Sequence, residues 1–234
     1  MAIGTYVLVH GAWHGGWCWA KVARLLRDAG HEVYTPTLTG LGERAHLARP
    51  EVDLETHIQD VVAVLEAEEL RQVTLVGHSY GGMVITGVAA RTSGRIGHLV
   101  YLDAFVPEAG MSLLDYVGER AAAMREAAAA HGEGWKLPSL APEALGVTSQ
   151  RDTEWLSKHL VPQPLRTFEQ PLPAAGGERL KRTYVYCSKP ARGTFDQFAE
   201  RLRDDRKWTF HDVKTGHDAM VTAPGELAKI LMGK

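Results

Sequence analysis

A serine between two glycines, a glycine–histidine pair far downstream and a carboxylate at the end of a strand are the residues whose types and spacing could do chemistry. In Gly77-His-Ser-Tyr-Gly81 the serine fits the pattern G-x-S-x-G. Val73, Leu75 and Val76 read as the end of a buried strand before it, and Met83 to Arg91 as a helix after it. A chain that turns this abruptly from strand to helix strains its middle residue. It needs glycine at the flanks, where a Cβ would collide with the neighbouring strand and helix. The pattern predicts a nucleophile elbow, with Ser79 Oγ exposed at the sheet edge and the Tyr80 N–H at the helix start. A Gly-rich turn with an incidental serine is the competing reading, and the strand–turn–helix setting favours the elbow.

A serine hydroxyl is a weak nucleophile until a base takes its proton. Of the eleven histidines, His217 stands in a loop after the last predicted strand, in Thr-Gly-His-Asp-Ala-Met220, and loops at that edge of a parallel sheet are where sites assemble. His78 reads as a packing residue pointing away from Ser79, and His10 as ordering the first loop through hydrogen bonds. An acid must then orient the imidazole and stabilise its charged form. The loop after Tyr184-Val-Tyr-Cys187, its usual place, offers no carboxylate until Asp196, which also reads as a first-turn helix residue favoured by the dipole. Asp103, at the end of the strand after the elbow helix and flanked by Leu102, Ala104 and Phe105, is the favoured candidate, with Asp196 as the alternative. Asp218 adjoins the base and is not expected to reach around its own histidine. Two N–H groups aimed at a developing oxyanion complete such a site. Tyr80 supplies one, and Ala12, in His10-Gly-Ala-Trp13 after the first strand, the other.

The composition agrees with an enzyme of ordinary kind. With 234 residues, 45% hydrophobic and 23% charged, the chain suits one domain or one domain with an insertion. A formal net charge of −2 gives no reason to expect nucleic acid or an anionic membrane as partner. No apolar run reaches the length of a bilayer span, and the N-terminal stretch lacks a basic region and enters a strand at once, unlike a secretion signal. Cys18 and Cys187, the two cysteines, are too few for a disulfide framework and too far apart for a metal knuckle. Free thiols and a cytoplasmic location are expected, with no cofactor and no metal.

Stepping along the chain, strands at Tyr6–Val9, His31–Pro36, Gln72–Val76 and His98–Leu102 alternate with helices at Trp17–Ala29, Leu54–Leu70 and the elbow helix. This is the signature of a parallel α/β sheet. From 108 to 181 no convincing buried strand follows. The stretch holds an alanine-rich helix, a Gly/Trp turn and many prolines, and is expected to be a helical cap inserted into an α/β core formed by 1–107 and 182–234. A strand at Arg182–Cys187, a helix at Phe195–Leu202, a strand at Trp208–Val213 and a closing helix from Pro224 end the chain.

With these motifs in hand, the sequence resembles the α/β-hydrolase superfamily, and within it the branch of plant methylesterases, hydroxynitrile lyases and bacterial esterase relatives. The segments that carry the likeness are Val7–Trp19, Gly30–Gly42, Val76–Met83 and Gly216-His217. The resemblance implies an α/β-hydrolase fold, Ser79 and His217 as nucleophile and base, the Ala12 and Tyr80 N–H groups as oxyanion hole, and Trp135 as an aromatic wall of the pocket. Plant members place their acid in the first half of the loop after Cys187, where this chain has none. Asp103-Ala-Phe-Val-Pro107 instead resembles haloalkane dehalogenases that carry an acid at the earlier strand end. The plant lyases have a lysine after the catalytic histidine and a threonine in the first loop, where this chain has Asp218 and Ala12, so a carboxylesterase is expected. A C–C lyase on the same scaffold and a non-catalytic ligand-binding relative are the alternatives. The expected partner is a small to medium apolar or aromatic ester, held between sheet and cap by Tyr80, Met83, Phe105, Met111, Trp135 and Trp155. A homodimer stays open.

Overall fold

The computed structural model describes residues 3–191 and 193–233. Met1 and Ala2 of the N-terminal stretch, Arg192 in the loop read for the acid, and Lys234 lie outside them. The first half alternates as expected: β1 (Thr5–Val9), α1 (Ala20–Asp28), β2 (Glu32–Tyr34), α2 (Leu54–Ala67), β3 (Val73–His78), α3 (Gly81–Thr92) and β4 (Ile96–Leu102). Then come α4 (Leu113–Val117), α5 (Arg120–His131), β5 (Lys136–Leu137), α6 (Gln150–His159), β6 (Gln163–Pro164) and α7 (Arg166–Glu169). The chain closes with β7 (Lys181–Cys187), α8 (Asp196–Leu202), β8 (Thr209–Val213), α9 (Ala219–Thr222) and α10 (Pro224–Leu231).

Six strands form one parallel sheet in the order β2-β1-β3-β4-β7-β8. Side chains alternate across a strand, so each apolar run feeds both faces. Val7 and Val9 of β1, Leu75 of β3, Leu99 and Tyr101 of β4 and Tyr184 of β7 pack on one side with Ile58 and Val61 of α2 and Val84 and Val88 of α3. Tyr6 and Leu8, Val76, Val100 and Leu102, Val185 and Val213 pack on the other with Val22 and Leu26 of α1 and Leu227 and Leu231 of α10. Burial on both faces is why these strands read as continuous apolar runs rather than alternating ones. Local signals fix the helix ends. Asp53 caps α2, its side chain accepting from Thr56 N–H while Thr56 Oγ1 accepts from Asp53 N–H, and Gly30, at φ +88°, turns the chain out of α1.

Between β4 and β7 residues 108–180 add no strand to this sheet, and β7 begins at Lys181, one residue before the expected boundary. It carries α4 to α7 and one short antiparallel ladder, Lys136 opposite Pro164 and Leu137 opposite Gln163. Two-residue strands leave no periodicity to read, and nothing in the residue pattern marks them. No helix among the described residues is long and apolar enough to cross a membrane.

The connection order places the site. From β1 the chain moves to one neighbour, β2, and then to the other, β3, so the switch point of the sheet lies between β1 and β3. Ligands of open α/β sheets bind in the crevice outside the carboxyl ends of the strands at such a point. Here Val9 pairs with Gly77 and His78 with Leu102, so the loops after β1, β3 and β4 leave the sheet side by side. Helix α3 sits directly against the β4 exit: a Cβ on Gly82 would lie 2.0 Å from the Phe105 carbonyl oxygen. Gly82→Ala is accordingly expected to destabilise the fold by about 3 kcal/mol through backbone overpacking. An unchanged urea midpoint would contradict this packing.

Candidate active site

Six described non-glycine residues have positive φ, and three of them surround one crevice: Trp13 (+67°), Ser79 (+54°) and Asp103 (+40°). Strained backbone persists only where its surroundings over-determine it, and at Ser79 they do. Its N–H donates to the Leu102 carbonyl (3.2 Å), and its own carbonyl accepts from Gly82 N–H (3.0 Å) and Phe105 N–H (3.2 Å). The flanking glycines are required by contact: a Cβ on Gly77 would lie 2.6 Å from the Gly81 carbonyl oxygen, and one on Gly81 2.9 Å from the Val9 and His10 carbonyl oxygens. The loop after β1 presses on the same turn, since a Cβ on Gly11 would stand 3.0 Å from Ser79 Cβ.

The carboxylate of Asp103 accepts from His217 Nδ1–H at 2.7 Å and, through its other oxygen, from Cys187 N–H at 3.1 Å. With Nδ1 donating to the carboxylate, the basic position of the His217 ring is Nε2. Phe195 stacks on the ring at 4.9 Å between centroids, and His78 Nε2–H donates to the His217 carbonyl at 3.1 Å. Asp196, the alternative acid, sits instead on Tyr186, whose hydroxyl donates to it at 2.6 Å. It opens α8.

Ser79, His217, Ala12 and Tyr80 line one cavity, together with Trp13, Phe105, Thr194 and Phe195 from the core and Leu113, Val117, Arg120, Met124, Leu140 and Phe168 from the inserted segment. Its empty volume, including solvent at the mouth, is about 460 Å³. Four pocket candidates from the sequence lie elsewhere. Met83 is fully buried within α3 among core residues. Met111 lies in the link to α4, its carbonyl accepting from Leu172 N–H. Trp135 holds Lys136 Nζ over its ring, 4.5 Å from the centroid. Trp155 packs edge-on against Trp17 at 5.0 Å on the opposite side of the sheet. Phe105 does line the cavity. The aromatic wall that the resemblance assigned to Trp135 is supplied from the inserted segment by Phe168.

A further histidine, outside the expected set, joins the site. His14 donates from Nδ1 to the Ala12 carbonyl (2.7 Å) and from Nε2 to Asp218 Oδ2 (3.0 Å), fully inside the protein. The spacing of His10 and His14, one at each end of the Gly-Ala-Trp turn, was the available signal. His10 holds the same turn as expected, Nδ1–H donating to the Gly11 carbonyl (2.8 Å) and Nε2 accepting from Leu38 N–H (3.1 Å). Atoms of His78, His217 and Asp218 lie within 4.8 Å of one another, a spacing a metal could use. Their bonds to the His217 carbonyl, Asp103 and His14 make them a hydrogen-bonded network instead.

Burial sets the charges of this network. Desolvation holds His10 down at about 3, pushes His78 well below the usual histidine range and lowers His57. The Asp218 carboxylate outweighs desolvation at His14 and raises it, while the histidine neighbours hold Asp218 down at about 2. Below about pH 6.5 the unfolded chain takes up protons that folded His10 and His78 refuse, which costs roughly 1.4 kcal/mol per pH unit for each, and lowered His57 acts in the same direction. The stabilisation from His14 is fully present below that pH and is lost only as pH rises through its raised value. That from Asp218 is lost only as pH falls from 3.8 toward 2. With His98 and His211 also lowered by burial, these groups outweigh His14 and predict a thermal midpoint that drops from pH 7 to 5; a flat profile would contradict the buried neutral histidines.

Comparison with known proteins gives the same frame. The chain is 45% identical to the carbendazim hydrolyzing esterase of Nocardioides sp. (strain SG-4G), over 98% of each chain. It is 27% identical to methylesterase 10 of Arabidopsis thaliana, over 97% of this chain and 90% of that one. An extracellular alpha/beta-hydrolase from a Paenibacillus species superposes with a TM-score of 0.82 at 25% identity, covering 98% of this chain and 97% of that one. The profile of the alpha/beta hydrolase family runs from residue 6 to residue 230, through the elbow and the histidine loop alike, and the protein belongs to that family.

Proposed function

We propose that this protein is a serine carboxylesterase whose triad is Ser79, His217 and Asp103. The observation that carries the reading is the convergence on one cavity of a serine held at positive φ and a histidine whose Nδ1–H rests on a buried carboxylate. Ser79 Oγ attacks the ester carbonyl while His217 Nε2 takes its proton. Asp103 fixes the imidazole tautomer and stabilises the imidazolium. The Ala12 and Tyr80 N–H groups receive the oxyanion. His217 then gives the proton to the departing alcohol, and water, deprotonated by the same nitrogen, releases the acid from Ser79.

The named relatives support ester hydrolysis, and those named as methylesterases favour a small alkyl leaving group. Segment 108–181 acts as a helical cap. Leu113, Val117, Met124, Leu140 and Phe168 give the acyl side an apolar roof, which suits small to medium apolar or aromatic esters. Incubation with a fluorophosphonate followed by intact-mass measurement should add one phosphonyl group to the wild type at Ser79 and none to Ser79→Ala. Failure to label the folded wild type, with tight binding of apolar ligands and no turnover of activated esters, would overturn the reading in favour of a non-catalytic binder.

A further inference from the structure

Behind the proposed triad lies a second histidine–carboxylate pair, joining the two loops that have to act together. Both ring nitrogens of His14 face atoms that accept: the Ala12 carbonyl at 2.7 Å and Asp218 Oδ2 at 3.0 Å. A carbonyl offers no proton and an ionised carboxylate offers none, so both nitrogens carry hydrogen and the ring is an imidazolium. His14 and Asp218 are 1% and 0% exposed. Burying such an ion pair is expensive, and an apolar pair of similar volume would generally cost less. An apolar pair could not, however, hold a peptide in a fixed orientation.

The peptides it holds are those of the oxyanion loop. The Ala12 N–H shares its peptide plane with the Gly11 carbonyl, which His10 fixes. His14 fixes the next carbonyl along, that of Ala12, and Trp13 N–H beyond it donates to Gln163 Oε1 at 3.1 Å. At the other end of the pair, Asp218 follows His217 directly and starts α9, with its N–H on the Leu145 carbonyl at 3.2 Å. His78, whose Nε2–H donates to the His217 carbonyl, places that nitrogen 3.7 Å from Asp218 Oδ1. We propose that His14 and Asp218 are positioning residues: a charged tie that fixes the Ala12–Trp13 peptide, so that the adjoining Ala12 N–H keeps its aim at the oxyanion and stays in register with the loop carrying His217. The inference rests on the esterase reading, because it gives the Ala12 N–H its task. A donor turned away from a developing oxyanion costs turnover more than substrate affinity, since the charge it meets exists only in the transition state.

The test measures kcat per fluorophosphonate-titrated site, KM, and inhibition by a trifluoromethyl ketone, whose hemiketal adduct with the serine hydroxyl carries an oxyanion. His14→Phe would leave the Asp218 charge buried alone, at a cost in folding, so His14→Phe/Asp218→Leu, which removes both charges, is measured beside it. The expected result for the double variant is a 10- to 100-fold lower kcat per titrated site and a matching loss of ketone affinity, with KM within about threefold. Asp218→Asn, whose amide can donate to Nε2 and leave Nδ1–H on the Ala12 carbonyl, should stay within about fivefold of wild type. A double variant that loses thermal stability or titratable sites while each remaining site turns over at the wild-type rate would overturn the proposal and reduce the pair to scaffolding. Absence of labelling in the wild type itself would instead defeat the esterase reading, and the two failures are therefore distinct.

Discussion

Asp103→Asn should lower kcat for an activated ester by roughly 10⁴-fold, while Asp196→Asn leaves it within about threefold of wild type. Replacing a triad acid by its amide keeps the shape but presents the wrong partner to the imidazole, and a loss of about that size is the usual consequence. Here the amide nitrogen can take the place of the oxygen that accepts from His217 Nδ1–H, turning the ring to its other tautomer. The remaining oxygen can still accept from Cys187 N–H, so the strand end should keep its conformation and the thermal midpoint should move little. Asp196 accepts from the Tyr186 hydroxyl, and its amide would disturb that contact. The measurement is steady-state hydrolysis of a chromogenic acetate by the two purified variants. Comparable losses in both, or loss only in Asp196→Asn, would move the acid to the loop after β7.

Replacing the proposed nucleophile separates activity from stability. Ser79→Ala should reduce kcat/KM by at least about 10⁴-fold, because the reaction loses its covalent route. The residual rate would come from the oxyanion donors and substrate binding. Ser79→Gly should be as inactive and yet about 1 kcal/mol more stable than Ser79→Ala. At φ +54° a residue with a Cβ is strained, whereas glycine adopts this conformation readily. Urea unfolding of the two variants at pH 7 checks this. A glycine variant less stable than the alanine variant would mean that the positive φ at the elbow stores no strain.

How much of this was legible in the sequence depends on whether a residue is placed by its neighbours in the chain or by distant ones. The parallel sheet was legible because Tyr6–Val9, Val73–Val76 and His98–Leu102 are apolar runs punctuated by glycine and loop residues. The elbow was legible because a single local turn dictates its glycines. Asp103 stood out because an acid between Leu102 and Ala104-Phe105 has no local reason to be buried; the structure gives it two hydrogen-bond donors from β7 and the histidine loop. The cavity wall was not legible. Whether Trp135 or Phe168 faces Ser79 depends on irregular turns between α5 and α7, where no periodicity assigns a face. Trp155 is apolar and helical, but α6 presents it to Trp17 rather than to the cavity. His14 escaped because its partner is 204 residues away.

The bonds between Trp13 and the inserted segment bear on how substrate gets in and out. Trp13 N–H donates to Gln163, its Nε1–H to the Leu137 carbonyl (3.2 Å), and its own carbonyl accepts from Val161 N–H (3.0 Å). The roof is therefore stitched to the loop after β1 that floors the cavity, and swinging it aside would tear that loop with it. Traffic must pass through a mouth of fixed outline, where side chains such as Arg120 and Met124 yield rather than whole helices. Turnover should show no lag or jump when substrate passes from dissolved molecules to droplets. On heating, catalysis and the helices of the inserted segment should fail in one and the same transition.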